Sequence, residues 1–107
     1  MRSKLERVKE TLLTVTDNVG HYEAFSQTDK YIVWAEDSEG SSLEGDNFKL
    51  EQSIQGTIDY YTKSENDPNV EGIQAALKAA RISFNLNSVQ YEDETQYIHY
   101  EWVFEVA

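Results

Sequence analysis

The chain of 107 residues contains no cysteine, so neither a disulfide nor a thiolate metal site can hold its fold. Long apolar runs are also missing, and none approaches the roughly 20 residues that a membrane-spanning helix needs. The first residues, Met1 to Arg7, are charged and lack the apolar segment of a signal peptide. These absences predict one domain over residues 1–107, without membrane contact, made and kept in a cytoplasm.

Basic residues are scarce, with nine Lys and Arg against 20 Asp and Glu and a formal net charge of −11. Phosphate contacts need Lys or Arg to displace counterions, so we predict no direct, sequence-specific binding of nucleic acid. Three interpretations of the charge stay open: a highly soluble protein, a mimic of nucleic acid, or a subunit that meets a basic partner. The 12% of aromatic residues favours a folded core over disorder.

Signatures of catalysis and of metal binding are absent. The chain has no nucleophile elbow, no Gly-rich phosphate loop and no His-Glu-x-x-His motif. The polar stretch from Asp37 to Asn47 fails as a calcium loop, because Ala35 would take the first ligand position. His99 and Glu101 could form an acid–base pair, but a surface histidine on a strand is the favoured interpretation. We therefore predict no enzyme, no cofactor and no metal.

The segment from Ile98 to Val106 shows the clearest periodicity in the chain. Its apolar residues alternate with polar ones, Val103 being the exception, which is typical of a half-buried strand. The side chains that share the predicted core face are Ile98, Tyr100, Trp102, Phe104 and Val106.

The remaining pattern predicts two helices and further strands. A Ser-x-x-Glu capping box at Ser3 opens a helix over residues 4–16. Asp67 and Pro68 suit the N-cap and first position of a second helix. The predicted strands are His21 to Phe25, Tyr31 to Glu36, Leu50 to Tyr61 and the run that starts at Ile82.

Two local irregularities stand out in these strands. Gly56 in mid-strand indicates a bulge or a close backbone approach. The apolar phase switches near Asn87 and Ser88, which indicates a bulge there. A loop from Glu92 to Thr95, projecting into water, then leads to the final strand. The predicted fold is α+β, with a mostly antiparallel sheet of four to five strands packed by two helices.

Several stretches together resemble a known group of proteins over residues 28–106. They are Tyr31-Ile32-Val33-Trp34, Glu44-Gly45-Asp46-Asn47, Gly56-Thr57-Ile58-Asp59-Tyr60-Tyr61-Thr62-Lys63 before Asp67-Pro68 and Ile73-Gln74, and Tyr91-Glu92-Asp93-Glu94-Thr95 before His99-Tyr100-Glu101-Trp102. In this order they resemble the tail-terminator or tail-completion proteins of long-tailed bacteriophages. These are also called head–tail joining proteins and include the family around the lambda-type terminator.

The resemblance implies a small α+β subunit that forms a ring, usually a hexamer, on the last ring of a tail tube. Such a ring stops tube polymerisation and meets the head connector, so the implied partners are other copies of the chain, the tail tube protein and the head-connector protein. The implied location is the host cytoplasm during assembly and then the virion tail. The resemblance implies no catalytic residues in this chain. Candidates for a subunit or tail interface are Trp34, Glu44, Asp46, Asn47, Asp59, Tyr61, Glu92, Asp93, Glu94, His99 and Glu101.

Two other functions are compatible with the sequence. An acidic DNA-mimic inhibitor, or another protein-binding module, would use the net charge directly. The basic residues Lys4, Arg7 and Lys9 on the first helix argue against a phosphate-like charge array. A small acid–base enzyme built on Glu92, His99 or Glu101 would need a pocket around an unexposed carboxylate.

Overall fold

The computed structural model describes residues 2–39 and 53–107. In these ranges the chain forms two helices and a five-stranded sheet, so the predicted α+β class is confirmed. In chain order the elements are α1 (Arg2–Leu13), β1 (Val19–His21), β2 (Lys30–Glu39), β3 (Ile54–Thr62), α2 (Pro68–Ala79), β4 (Ser83–Glu92) and β5 (Tyr97–Val106). No helix within these ranges is long and apolar enough to cross a membrane.

The strand order across the sheet is β1-β2-β3-β5-β4. Strand β1 runs parallel to β2, and every other neighbouring pair is antiparallel. The C-terminal strand β5 therefore lies inside the sheet, between β3 and β4. Its strong alternation follows from the helices, which cover only one face of the sheet, so that one face of β5 is buried and the other is not.

Both helices contribute to a single hydrophobic core on one face of the sheet. The helices supply Val8, Leu12, Ile73 and Leu77, all fully buried. From the strands come Ile32, Trp34, Ile54, Ile58, Tyr60, Trp102, Phe104 and Val106, and Ile82 joins them from just before β4. The core face predicted for β5 is confirmed for Trp102, Phe104 and Val106, with Tyr100 packed against the core, whereas Ile98 lines a groove near the β4–β5 hairpin. Trp102 Nε1 also donates a hydrogen bond to Gln74 Oε1 on α2 over 3.0 Å.

Two predicted irregularities are confirmed in the sheet. The β4–β5 register shifts between Leu86 and Ser88, so the apolar residues on both sides of the shift share one face. Gly56 is a close backbone approach, because a Cβ there would lie 2.1 Å from the Ala35 carbonyl oxygen. The bulge of this pair lies on β2, between Glu36 and Ser38.

The N-terminal third departs from the sequence prediction. Helix α1 begins at Arg2, so Ser3 lies inside the first turn and not at the N-cap, and the helix ends at Leu13 and not at residue 16. The predicted strand from His21 to Phe25 is wrong as placed: β1 covers Val19–His21, and the chain bends away at Tyr22, where φ is 72°. A positive φ interrupts an extended strand.

Candidate functional site

The sheet face opposite the helices carries five of the eleven interface candidates. It is called the open face here, because no described helix covers it. Five candidates share it: Asp59, Tyr61, Glu92, His99 and Glu101. The sequence placed four of them on polar strand faces and Glu92 in the loop before the final strand, and the strand order β3-β5-β4 brings all five together.

His99 lies between two carboxylates. Its Nε2 atom is 2.8 Å from Asp59 Oδ1, and its Nδ1 atom is 3.8 Å from Glu92 Oε2. Glu101 instead accepts hydrogen bonds from Asn87 Nδ2 and Ser88 Oγ. His99 lies on β5 with 19% of its side chain exposed, and its carboxylate partners come from two other strands and not from Glu101.

A cluster of aromatic rings surrounds His99 and Asp59 at one end of the open face. Tyr61 stacks on His99, with ring centroids 4.2 Å apart, and on Tyr31, with centroids 4.6 Å apart. Tyr97 meets both tyrosines edge-on and donates a hydrogen bond to the Thr28 carbonyl oxygen. The ammonium of Lys63 lies 4.9 Å from the centre of the Tyr97 ring, within the range of a cation–π contact.

The electrostatics of the open face are dominated by burial and by like charges. Burial raises the pKa of Asp59; the hydrogen bond to His99 opposes this rise, and the charge of Glu101 adds to it. Burial, followed by the charge of Asp59, raises the pKa of Tyr61 to about 12. Asp59 and Glu101 are directly opposite each other in the β3–β5 register, an arrangement that destabilises a sheet.

The other interface candidates lie elsewhere. Trp34 belongs to the helix-covered core, where it contacts Phe104 and stacks on His21. Asp93 and Glu94 are exposed in the turn after β4, as predicted. Glu92 departs from that prediction, since it ends β4 and faces His99. Glu44, Asp46 and Asn47 lie outside the described residues.

A second carboxylate network lies on the helix-covered side. Asp67 caps α2 by accepting the Asn69 amide, as predicted, and its Oδ2 also accepts the hydroxyls of Tyr60 and Thr62, each over 2.7 Å. Burial alone would raise the pKa of Asp67. The hydrogen bonds from Thr62, Asn69 and Tyr60, with the charge of Lys30, outweigh burial and lower it. This network holds the end of β3 against α2.

The chemistry available to the open face is limited by its geometry. A histidine beside a carboxylate can move a proton, but His99 does not line the groove of about 770 Å³ near the β4–β5 hairpin. Residues on that groove include Val89, Tyr91 and Ile98. In the parts of the chain that the structure describes, no group of three His, Cys, Asp or Glu residues could hold a metal ion.

Sequence reasoning missed two aromatic members of the open face, Tyr31 and Tyr97. Tyr31 is 6% exposed although it lies opposite the core, because Tyr61 and Tyr97 pack on it. The sequence of β2 indicated that this second face is buried, because Tyr31 and Val33 make it apolar. Tyr97 stands just before the predicted start of β5.

No protein-family model matches this chain, and no curated protein matches it.

Proposed function

We propose that this chain is a ring-forming structural subunit that caps a phage or prophage tail tube, stops its polymerisation and helps to join it to the head. The order of motifs that resembles tail-terminator proteins supports this proposal. The fold expected of such a subunit, two helices on a mostly antiparallel sheet, supports it as well. On this proposal the chain has no catalytic role.

The observation that carries the proposal is the position of the exposed apolar side chains. Leu86, Val89 and Tyr91 are 47%, 50% and 59% exposed on β4, one edge of the sheet. Tyr22 and Phe25 are 62% and 76% exposed just after β1, at the opposite edge. Exposed apolar patches mark interaction sites, and two unlike patches on opposite edges suit a head-to-tail contact that closes into a ring.

Substitutions at both edges test this arrangement. Val89→Lys and Phe25→Lys should each abolish capping of purified tail tubes from the source phage or prophage, because each places a charge in the proposed contact. Gln90→Lys and Ser26→Lys are matched controls at neighbouring exposed positions and should cap normally. The readout is negative-stain microscopy of gold-labelled protein, with circular dichroism to verify folding.

Mixing the two edge variants sharpens the test. A Val89→Lys subunit keeps its Phe25 edge and a Phe25→Lys subunit keeps its Val89 edge, so each pair can form one intact contact but no closed ring. Mixed samples incubated with tubes should therefore give end-bound pairs without uniform tube length. Label along the whole tube, or no end binding by the unsubstituted protein, would contradict the proposal.

The acidic charge suggests a role for the ring lumen. If the Glu92, Asp93 and Glu94 carboxylates face passing DNA, they repel it and limit sticking. Replacing all three with lysine should then slow DNA ejection without blocking assembly. Unchanged ejection would remove this part of the proposal.

A further inference from the structure

The open face joins a pair of like charges to a cluster of aromatic rings. Asp59 and Glu101 are direct cross-strand partners on β3 and β5. The hydrogen-bond donors to Glu101, Asn87 and Ser88, are neutral. The imidazole Nε2 of His99 contacts one oxygen of Asp59, Oδ1. A carboxylate has about four lone-pair sites, so both groups can accept further donors.

The charge on this face is one-sided in the described strands. Within strands β2 to β5, residues 30–39, 54–62, 83–92 and 97–106, the register places no Lys or Arg on the open face. Lys63 follows β3 and reaches the face only at its aromatic end, over Tyr97. A cationic partner therefore meets attraction here, and an acidic one meets repulsion.

The rings favour one kind of cation. Tyr61 and His99 are stacked beside Asp59, and the contact of Lys63 with Tyr97 shows that this cluster already accepts a cation. A guanidinium group is planar, is more weakly hydrated than an ammonium, lies against aromatic rings and bonds carboxylates with a rigid fork of donors.

We propose that the open face docks a protein segment that presents arginine side chains, with a guanidinium bridging the carboxylates of Asp59 and Glu101 beside the Tyr61 and His99 rings. This surface is distinct from the sheet edges of the proposed ring contact. It serves a partner on the side of the sheet away from the helices, and the proposal holds whether or not the chain caps a tube.

The test uses the full chain, labelled with ¹⁵N, and a capped tri-arginine peptide as the probe. We expect saturable chemical-shift changes at the amides of residues 57–61 and 99–103, and weaker binding of a capped tri-lysine peptide. Asp59→Asn/Glu101→Gln should weaken tri-arginine binding roughly tenfold, the loss expected for about one charge-assisted pair. Added salt should weaken it further.

The matched control removes the same charge from the helices. Glu10→Gln/Glu71→Gln alters two exposed residues of α1 and α2 and should leave tri-arginine affinity unchanged. Equal loss in both double variants would mean general charge attraction and would overturn the proposal. Shift changes confined to the helices would also overturn it. The same amides shifting with protein concentration, without peptide, would assign the face to a second copy instead.

Discussion

Asp67 and Asp59 are both carboxylates held at the sheet, and their surroundings differ in the way the two faces differ. Asp67 lies on the helix-covered side, where a backbone amide and two hydroxyls donate to it and its pKa is lowered. Asp59 lies on the open face, where burial and a neighbouring carboxylate raise its pKa against the contact with His99. Asp67 is fully satisfied by the fold, whereas Asp59 keeps capacity for a partner.

The same contrast holds for the apolar residues. On the helix-covered face, Trp102 and Phe104 are almost fully buried under two helices. On the open face, Val103 lies between them in sequence and is only partly buried. Stability should therefore depend on one face, while binding should depend on the other.

The largest expected effect is on the core. Trp102→Ala should lower the free energy of unfolding by about 4 kcal/mol, because it removes a fully buried ring and leaves a cavity. Val103→Ala, one residue away on the opposite face, should lower it by about 1 kcal/mol. Urea unfolding followed by circular dichroism measures both. Equal losses would show that the open face is as well packed as the core.

The next effect concerns the Asp67 network. Asp67→Ala should destabilise the protein by roughly 3 kcal/mol, since it removes a helix cap and the acceptor to which the hydroxyls of Tyr60 and Thr62 donate. Asp67→Asn keeps a capping side chain and should lose less. Thermal unfolding at pH 7 separates the two variants, and a loss confined to α2 fraying would contradict the role assigned to the hydroxyl contacts.

The pH dependence of stability should follow from the lowered pKa of Asp67. Its ionised form contributes stability that is present above the ordinary value of 3.8 and is lost as pH falls through the lower folded-state value. Stability should thus fall on acidification, and more steeply for the unsubstituted chain than for Asp67→Asn. Urea midpoints between pH 7 and pH 2 provide the measurement; parallel curves would assign the acid sensitivity to other carboxylates.

The smallest effect, with the opposite sign, is expected at Asp59. Its raised pKa means that the fold favours the neutral carboxyl. The stability that the neutral carboxyl contributes is present below 3.8 and is lost as pH rises through the folded-state pKa. Asp59→Asn should change stability at pH 7 by less than about 1 kcal/mol and should gain, relative to the unsubstituted chain, as pH rises from 3 to 7. A large loss at pH 7 would make the contact with His99 structural.

Much of the fold was accessible from local pattern. Period-two alternation identified β5 and its buried face, and the phase switch at Asn87 and Ser88 identified the bulge in β4. Asp67 and Pro68 predicted the start of α2, because helix capping acts within one turn. Local signals failed where they were weak. The capping box at Ser3 did not start α1, and three residues sufficed for β1 because β2 supplied its hydrogen bonds.

The candidate site was accessible only in part. The sequence placed Asp59, Tyr61, His99 and Glu101 on polar strand faces, which side-chain alternation alone determines. It placed Glu92 in the loop before the final strand. Which of them meet depends on strand order. Strand β5 lies between β3 and β4 although 34 residues separate the end of β3 from the start of β5. That order paired Asp59 with His99 and set Glu101 opposite it, because register is fixed by burial of the shared core face and not by neighbouring residues in the chain.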